Sequence, residues 1–234
     1  MKKLIAASTS TVHGSGYLEY LTEPLQQLFE QVEELVFIPY ARPGGISHDA
    51  YTEIAAKAFT KIGISVKGLH QFDDPVRAIA QASGLFTGGG NTFVLVDALY
   101  RNKLIGPLYR AIETGTPYLG TSAGSNICGP SMRTTNDMPI VYPPSFDTLG
   151  VLPFNLNPHY LDPDPGSTHM GETRETRINE FHTQNDTPVL GLREGSWVEV
   201  IGTDIRLKGG LQARLFRQGN EPEELDPGTD LSLI

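Results

Sequence analysis

The sequence predicts an α/β protein with a mainly parallel sheet flanked by helices and with antiparallel additions in the C-terminal part. Two observations lead to this prediction. Through the first half of the chain, short apolar runs alternate with longer helical patterns, which is typical of parallel βαβ units. After about residue 135 the sequence changes to loops rich in Pro, Asn and Asp and to short strand-like runs. No linker-like segment separates the two parts, so residues 1–234 are predicted to form a single domain.

The predicted elements follow one another in order. Strands of the first half are predicted at Leu4–Ala7, Leu35–Pro39, Val66–Leu69, Leu85–Thr87 and Pro117–Leu119. Helices are predicted near Tyr17–Val32, Asp49–Ile62, Pro75–Ala82, Asn91–Arg101 and Leu104–Glu113. Asp49 and Asn91 can accept N–H bonds as helix caps, and Pro75 suits a first turn. In the second part, strands are predicted at Val189–Leu192, Trp197–Ile201, Ile205–Leu207 and Ala213–Phe216, with Leu231–Ile234 as a last strand.

Composition argues against several classes of protein. The chain has 234 residues, and its net charge of −9, from 18 Lys and Arg against 27 Asp and Glu, disfavours nucleic acid as a partner. The apolar run after Met1 is too short for a signal peptide and no run approaches a membrane span, so a cytoplasmic protein without a membrane partner is expected. Cys128 is the only cysteine, which excludes an internal disulfide.

A candidate nucleophile lies in the pentapeptide Gly120-Thr121-Ser122-Ala123-Gly124. The preceding apolar run predicts a strand and the following residues predict the start of a helix, so Ser122 is expected at a tight bend with its hydroxyl exposed. Glycines two residues away on each side allow the strand and the helix to fold back on each other. The pattern predicts a nucleophile elbow, although a short Gly/Ser turn without a catalytic role has the same appearance.

A second glycine-rich turn, Thr87-Gly88-Gly89-Gly90-Asn91, also follows a predicted strand and precedes a helix. The carboxyl ends of parallel strands meet at one edge of the sheet, so this turn is expected beside Ser122. The N–H groups of Gly89, Gly90 and Ala123 are therefore predicted to form an oxyanion hole. A phosphate-binding loop is the alternative, but the spacing does not match either glycine-rich phosphate motif. A plain flexible turn is the other alternative.

A nucleophilic serine needs a base and an orienting carboxylate. His159 is the preferred base because Pro158 restricts the backbone before it, while His169 and His182 are competing candidates. Asp137, on a polar loop, and Glu194, just beyond a predicted strand, are both candidates for the carboxylate. The pattern does not choose between them.

Two other hydrolase classes compete with this reading. A metal site is conceivable because five potential ligands fall within a short stretch: His159, Asp162, Asp164, His169 and Glu172. This stretch lacks the spacing of a helical zinc motif and is interrupted by prolines, so no metal or other cofactor is expected. An α/β-hydrolase shares the elbow, and an Asp137–His159 pair would keep its order of serine, acid and histidine.

Several long motifs, taken in order, resemble peptidase E, the family of aspartyl dipeptidases, over nearly the whole chain. The resemblance is carried by Ser8-Thr9-Ser10, His13-Gly14-Ser15-Gly16-Tyr17-Leu18, Phe37-Ile38-Pro39-Tyr40-Ala41, Phe86-Thr87-Gly88-Gly89-Gly90-Asn91-Thr92-Phe93, Gly120-Thr121-Ser122-Ala123-Gly124-Ser125-Asn126, Arg133-Thr134-Thr135-Asn136-Asp137-Met138-Pro139-Ile140, Asn157-Pro158-His159, Gly171-Glu172-Thr173-Arg174-Glu175 and Gly191-Leu192-Arg193-Glu194-Gly195-Ser196-Trp197. It implies a fold like that of class I glutamine amidotransferases, with serine in place of cysteine. It also implies hydrolysis of dipeptides that begin with aspartate (Asp-X), with Ser122 as nucleophile, His159 as base, and either Asp137 or Glu194 as acid.

The implied substrate carries a carboxylate, an ammonium and one scissile amide. Arg133, Arg174 and Arg193 could bind the carboxylate, because the guanidinium fork is bidentate, and Arg174 is preferred. Asp137, Glu172 or Glu175 could bind the ammonium, and Asp137 is preferred. Asn91 is predicted as a further substrate contact. The alternative enzyme is a cyanophycinase-like serine hydrolase acting on an aspartyl-linked polymer, and the assembly is expected to be a monomer or a homodimer.

Overall fold

The main sheet of the protein has seven strands. The computed structural model describes residues 1–164, 166, 168 and 170–234. In it the strands of this sheet are β1 (Lys3–Ala7), β2 (Glu34–Ile38), β3 (Ser65–Gly68), β4 (Leu85–Thr87), β5 (Tyr118–Thr121), β8 (Ser196–Ile201) and β9 (Asp204–Gly209). Their spatial order is β3-β2-β4-β5-β1-β8-β9. The first five are parallel, whereas β8 is antiparallel to β1 and β9 to β8. The predicted α/β class with a mainly parallel sheet is confirmed.

Helices cover the sheet on both faces. They are α1 (Thr22–Leu28), α2 (His48–Thr60), α3 (Pro75–Gln81), α4 (Thr92–Arg101), α5 (Ile105–Thr114) and α6 (Ala123–Asn126). A further helix, α7 (Arg174–Phe181), packs elsewhere, because its Ile178 belongs to a separate apolar cluster with Tyr160, Val189 and Phe216. Strand β1 illustrates the packing: Leu4 and Ala6 belong to one buried apolar cluster, and Ile5 and Ala7 to the other. Since side chains alternate along a strand, both faces of the sheet are buried, as parallel sheets require.

The C-terminal part differs from the predicted ribbon. Only the β8–β9 hairpin extends the main sheet, and four other strands form a second sheet: β6 (Asn155–Pro158), β7 (Val189–Leu192), β10 (Ala213–Phe216) and β11 (Glu223–Leu225). Its order is β11-β10-β7-β6, and β6 is parallel to β7. The sequence prediction missed β6 because its buried asparagines read as loop residues, although their amides bond neighbouring backbone, as Asn155 does with the Ser131 N–H. It also missed α7 and β11.

Two predicted helix starts and one predicted strand were wrong. The helix expected near Tyr17–Val32 is a 3₁₀ turn at Glu19–Leu21 followed by the short α1. Ser47, not Asp49, caps α2, and the Asp49 carboxylate instead accepts hydrogen bonds from His70 and Gln71. Residues 231–234 are not a strand, although Leu231 is buried and its N–H bonds the carbonyl of Ile205.

Two other expectations, on the ends of helices, have clear outcomes. Asn91 caps α4 through its side-chain oxygen, and Pro75 occupies the first turn of α3, both as predicted. In the part of the chain that the structure describes, no helix is long and apolar enough to cross a bilayer.

Candidate active site

Three loops meet at the carboxyl edge of the main sheet. Strands β4, β5 and β1 are adjacent and parallel, so the residues that follow them converge. These residues are the glycine turn Gly88–Gly90 after β4, Ser122 after β5 and Ser8 after β1. Open α/β sheets place their sites at this edge.

The elbow has the strained backbone that its sequence predicts. Ser122 lies between β5 and α6 with φ 54° and ψ −112°, a combination that L-residues rarely adopt. A side chain at Gly120 would collide with the carbonyl of Gly124, and one at Gly124 would collide with the carbonyl of Thr87. The flanking glycines are therefore a steric requirement of the turn that exposes the serine.

Ser122, His159 and Glu194 form a continuous hydrogen-bonded chain. The Oγ of Ser122 lies 2.9 Å from Nε2 of His159, and Nδ1 of His159 lies 2.6 Å from Oε1 of Glu194. The second sheet brings the histidine and the glutamate together, because Pro158 pairs with Leu192 at the ends of the parallel strands β6 and β7. His159 and Glu194 follow these residues closely in sequence, so both side chains reach the same edge.

Ser8 holds the backbone of the histidine. His159 has φ 55°, and its N–H donates to Oγ of Ser8 at 2.9 Å. The Ser8 hydroxyl in turn donates to the Leu192 carbonyl at 2.7 Å. Ser8 is fully buried, so this link between β1 and the second sheet is shielded from water. Its positioning role was not foreseen from the sequence.

Asp137 lies near Ser122 and is not hydrogen-bonded to His159. Its Oδ2 accepts from the N–H and the hydroxyl of Thr92, both at 2.7 Å, and from the hydroxyl of Thr135 at 3.1 Å. Thr92 is the first residue of α4, so the carboxylate also faces the positive end of that helix. Among the described residues, Oδ1 of Asp137 accepts no hydrogen bond. The side chain is fixed, yet one oxygen remains available to a ligand.

The side-chain amide of Asn91 is hydrogen-bonded to backbone groups of the protein. Its Oδ1 accepts from the N–H of Val94 and its Nδ2 donates to the carbonyl of Met138. Each end of the amide therefore has one protein partner, and the role of Asn91 as a substrate contact stays a prediction.

Backbone donors for an oxyanion surround the serine. In the described ranges, the N–H groups of Gly89, Gly90 and Ala123 donate to no protein acceptor. Gly89 packs against Ser122 so closely that a Cβ at Gly89 would lie 2.9 Å from Cβ of Ser122. The hydroxyl of Tyr51 donates to the Gly89 carbonyl at 3.1 Å and holds the turn in place. Ala123 is in the first turn of a helix, where N–H groups have no intrahelical partner.

A small polar pocket adjoins Ser122, with free space of about 20 Å³. We call it the polar pocket, and its lining consists of Thr92, Ser122, Ala123, Asn126, Thr135, Asn136, Asp137, Pro158 and His159. Space of this size holds about one water molecule or one ammonium group. The pocket contains one carboxylate, that of Asp137, and amide and hydroxyl groups, and it offers no cation other than a protonated His159.

The three candidate arginines differ in what they contact. Arg133 donates to Asn185 Oδ1 and lies over the ring of Phe146. Arg193 forms ion pairs with Asp162 and Glu224, each at 2.8 Å, so its guanidinium is saturated by protein. Among the described residues, Arg174 makes no hydrogen bond or ion pair.

Arg174 begins α7 and is half-buried, close enough to Asp137 to sense its charge. Burial and the neighbouring Arg177 lower the pKa of Arg174, and Asp137 opposes this effect. A guanidinium pKa starts so high that the group stays charged at neutral pH. Arg174 is thus the candidate arginine that retains its full capacity to bind a carboxylate.

Arg193 belongs to an ionic cluster that joins the loop after β7 to α7. The cluster consists of Asp162, Glu175, Arg193, Arg214 and Glu224. Hydrogen bonds from Arg193 lower the pKa of both Asp162 and Glu224. Because Arg193 precedes Glu194 and Glu175 follows Arg174, the cluster connects the segment that carries Glu194 with the segment that carries Arg174.

Arg193→Met is expected to lower the free energy of unfolding by about 1–3 kcal/mol, since Asp162 loses its partner and Glu224 keeps only Arg214. The loss is limited because Asp162 is about half exposed, at 49%, and is partly solvated. Arg206 also pairs with two carboxylates but is more exposed, and Arg206→Met should cost under ~1 kcal/mol. Urea denaturation of both variants measures the difference.

The pH dependence of Arg193→Met follows from the lowered pKa values of Asp162 and Glu224. Their stabilising contribution is complete above the unfolded-state values near ~4 and is lost as pH falls through the lower folded values. The stability gap between wild type and variant should therefore narrow below pH ~4. A gap that widens in acid would contradict this account of the cluster.

The remaining candidates from the sequence are dispersed. His182 is buried, and its ring nitrogen Nε2 is hydrogen-bonded to the carbonyl of Thr187 rather than to Ser122. His169 lies outside the described residues. Of the potential metal ligands, Asp162 pairs with Arg193 and Glu172 with Arg177. The described residues contain no group of three or more His, Cys, Asp or Glu side chains arranged to hold a metal ion.

Comparison with known proteins gives one consistent result. The model of peptidase family S51 matches residues 4–208. A protein of Streptomyces coelicolor named "Peptidase E" is 52% identical over 229 residues, which cover 98% of this chain and 93% of that protein. A Drosophila melanogaster protein named "Probable alpha-aspartyl dipeptidase" is 45% identical, with coverage of 100% and 97%. The crystal structure of a peptidase from an acI-B1 actinobacterium shares the fold, with a TM-score of 0.72 at 16% identity over 99% of this chain and 96% of that one.

Proposed function

We propose, from the premise that this chain belongs to peptidase family S51, that it is a serine dipeptidase which hydrolyses Asp-X dipeptides. The observation that carries the proposal is the hydrogen-bonded chain of Ser122, His159 and Glu194 at the elbow. The resemblance left the acid of the triad open between two residues. Contact with the histidine favours Glu194, and the polar pocket gives Asp137 a different role.

The proposed reaction proceeds through an acyl-enzyme. The Ser122 hydroxyl attacks the scissile carbonyl while Nε2 of His159 takes its proton, and Glu194 stabilises the imidazolium that results. The N–H groups of Gly89, Gly90 and Ala123 are the donors available to the oxyanion. His159 then gives the proton to the leaving amine. Water repeats the sequence on the ester and releases aspartate.

Binding of the aspartyl residue follows from where charges lie around Ser122. The α-nitrogen of a dipeptide is two bonds, about 2.5 Å, from the scissile carbonyl carbon, so its pocket must adjoin the nucleophile. The polar pocket meets this requirement and offers the carboxylate of Asp137. Arg174 is the proposed partner of the substrate side-chain carboxylate. In a β-aspartyl peptide the nitrogen lies one carbon further from the scissile bond and would miss the pocket.

A substrate panel tests the proposal. The enzyme should hydrolyse Asp-X, whereas N-acetyl-Asp-X and β-aspartyl-X should react at least ~10²-fold more slowly in kcat/KM, because each loses the bond between ammonium and carboxylate. Rapid cleavage of β-aspartyl substrates with poor cleavage of Asp-X would overturn the proposal in favour of a hydrolase of aspartyl-linked polymer.

The two carboxylates near the site should give different kinetic signatures. Glu194→Gln removes the partner of the imidazolium and should lower kcat by roughly 10²-fold, because water can partly replace a side chain that is half exposed. Asp137→Asn should mainly raise KM for Asp-X and should change little for an N-acetylated substrate. A large, equal fall in kcat on both substrates for Asp137→Asn, with Glu194→Gln nearly silent, would reverse these roles.

A further inference from the structure

Asn126 has a buried acceptor that no protein group satisfies. It is the last residue of α6, one helical turn after Ser122, and is 1% exposed. Its Nδ2 donates to the carbonyl of Leu156 at 2.8 Å, which fixes the orientation of the amide. In the described part of the chain its Oδ1 has no hydrogen-bond partner. A buried carbonyl oxygen without a donor costs free energy, so its retention beside a nucleophile points to a ligand.

The position of Asn126 directs this acceptor toward the reaction centre. Side chains on a helix lean toward its N-terminus, and residues four apart share one face, so the side chain of Asn126 leans toward Ser122. Asn126 lines the polar pocket together with Asp137. Each of these two residues has an Oδ1 to which no described group donates, and the space beside them has room for one group of the size of an ammonium.

We infer that the α-ammonium of the substrate fills the polar pocket and donates to both Asn126 Oδ1 and the Asp137 carboxylate. Asn126 is then a specificity-determining residue that selects a free primary ammonium. This inference rests on the proposed function. Asp137 supplies the charge, whereas Asn126 supplies a second, fixed acceptor that only a donor with several N–H groups satisfies at the same time. An ammonium has three such groups, and a secondary amide has one.

Two small ligands test this role directly, since L-aspartate and succinate differ only by the ammonium. In Asn126→Ala, the inhibition constant of L-aspartate should rise by about 10-fold or more, because a hydrogen bond to a charged group is lost, and that of succinate should stay within ~2-fold. Asn155→Ala is the matched control, since it also truncates a buried asparagine that bonds backbone but does not line the pocket. It should leave the ratio of the two constants at the wild-type value.

The outcomes separate this inference from the proposed function. Weaker binding of both ligands by the same factor in Asn126→Ala would make Asn126 a scaffold residue and overturn the inference. Wild-type enzyme that neither cleaves Asp-X nor binds L-aspartate would instead overturn the proposed function. If the alanine variant does not fold, the same two inhibition constants are measured on Asn126→Ser. In addition, the binding of N-methyl-L-aspartate to the wild-type enzyme is compared with that of L-aspartate. The methylated ammonium keeps two N–H groups, but free space of about 20 Å³ does not admit its methyl group, so N-methyl-L-aspartate should bind at least ~10-fold more weakly than L-aspartate. Equal binding of both amines would overturn the inference.

Discussion

Ser122→Ala is expected to fold like the wild type and to lose about 10⁴-fold or more in kcat on Asp-X, because no other group at the elbow can form the acyl-enzyme. Alanine keeps the Cβ and therefore fits the strained turn as serine does. Only the hydroxyl that contacts His159 is removed. Thermal unfolding should change little, while steady-state hydrolysis should fall close to the background rate.

A serine-reactive phosphonate gives this prediction an independent readout. It should add its mass to the wild type and not to Ser122→Ala, whereas a chelator such as EDTA should leave wild-type turnover unchanged. Undiminished turnover by Ser122→Ala would remove the serine mechanism. Loss of activity in EDTA with recovery in zinc would instead support a metal site in the segment between His159 and Glu172.

The parts of the site that could be predicted from sequence are those where one local rule determines the geometry. The glycines around Ser122 are required by steric contact within a few residues, and the glycine turn after β4 reaches the same edge because the strands are parallel. The sequence alone therefore predicts that the elbow and the glycine turn lie next to each other. Asn91 as a helix cap was predicted on similarly local grounds.

The choice between Asp137 and Glu194 could not be made from sequence because it depends on strands that the pattern hides. Glu194 reaches His159 only because β6 and β7 are parallel, and β6 carries asparagines that resemble a loop. Asp137 lies instead at the start of α4, where its carboxylate accepts hydrogen bonds from the N–H and the hydroxyl of Thr92. Both carboxylates lie near the site, and only the tertiary structure gives them different partners, His159 for Glu194 and Thr92 for Asp137.

The arginines illustrate the same limit. Arg193 directly precedes Glu194, so proximity in sequence made it a candidate for the substrate carboxylate. In the folded protein its guanidinium donates to Asp162 and Glu224, which lie 31 residues before and after it in the sequence. Arg174 is free of such partners among the described residues, and no sequence pattern distinguishes a saturated arginine from an available one. The two arginines differ in the number of hydrogen-bond partners that each guanidinium has in the folded protein.

Arg174→Met is expected to abolish most of the discrimination between aspartate and asparagine. The wild type should cleave Asp-X at least ~10³-fold more efficiently than Asn-X, because a half-buried arginine left without its carboxylate costs several kcal/mol and each ~1.4 kcal/mol is tenfold in rate. Methionine keeps much of the apolar stem and removes the charge. In Arg174→Met, the ratio of kcat/KM for Asp-X to kcat/KM for Asn-X should fall to about 10 or less, chiefly because Asp-X is cleaved more slowly.

Arg177→Met is the matched control for this substitution, since Arg177 lies on the same helix, is more than half exposed and is only loosely paired with Glu172 at 3.7 Å. It should leave the ratio of kcat/KM for Asp-X and Asn-X within ~3-fold of wild type, because an exposed charge is screened by water. Equal losses in both variants would show that the helix acts through its overall charge rather than through one guanidinium. Comparable kcat/KM for Asp-X and Asn-X in the wild type would contradict the arginine subsite itself, and the Ser122 chemistry would then stand without an aspartyl specificity.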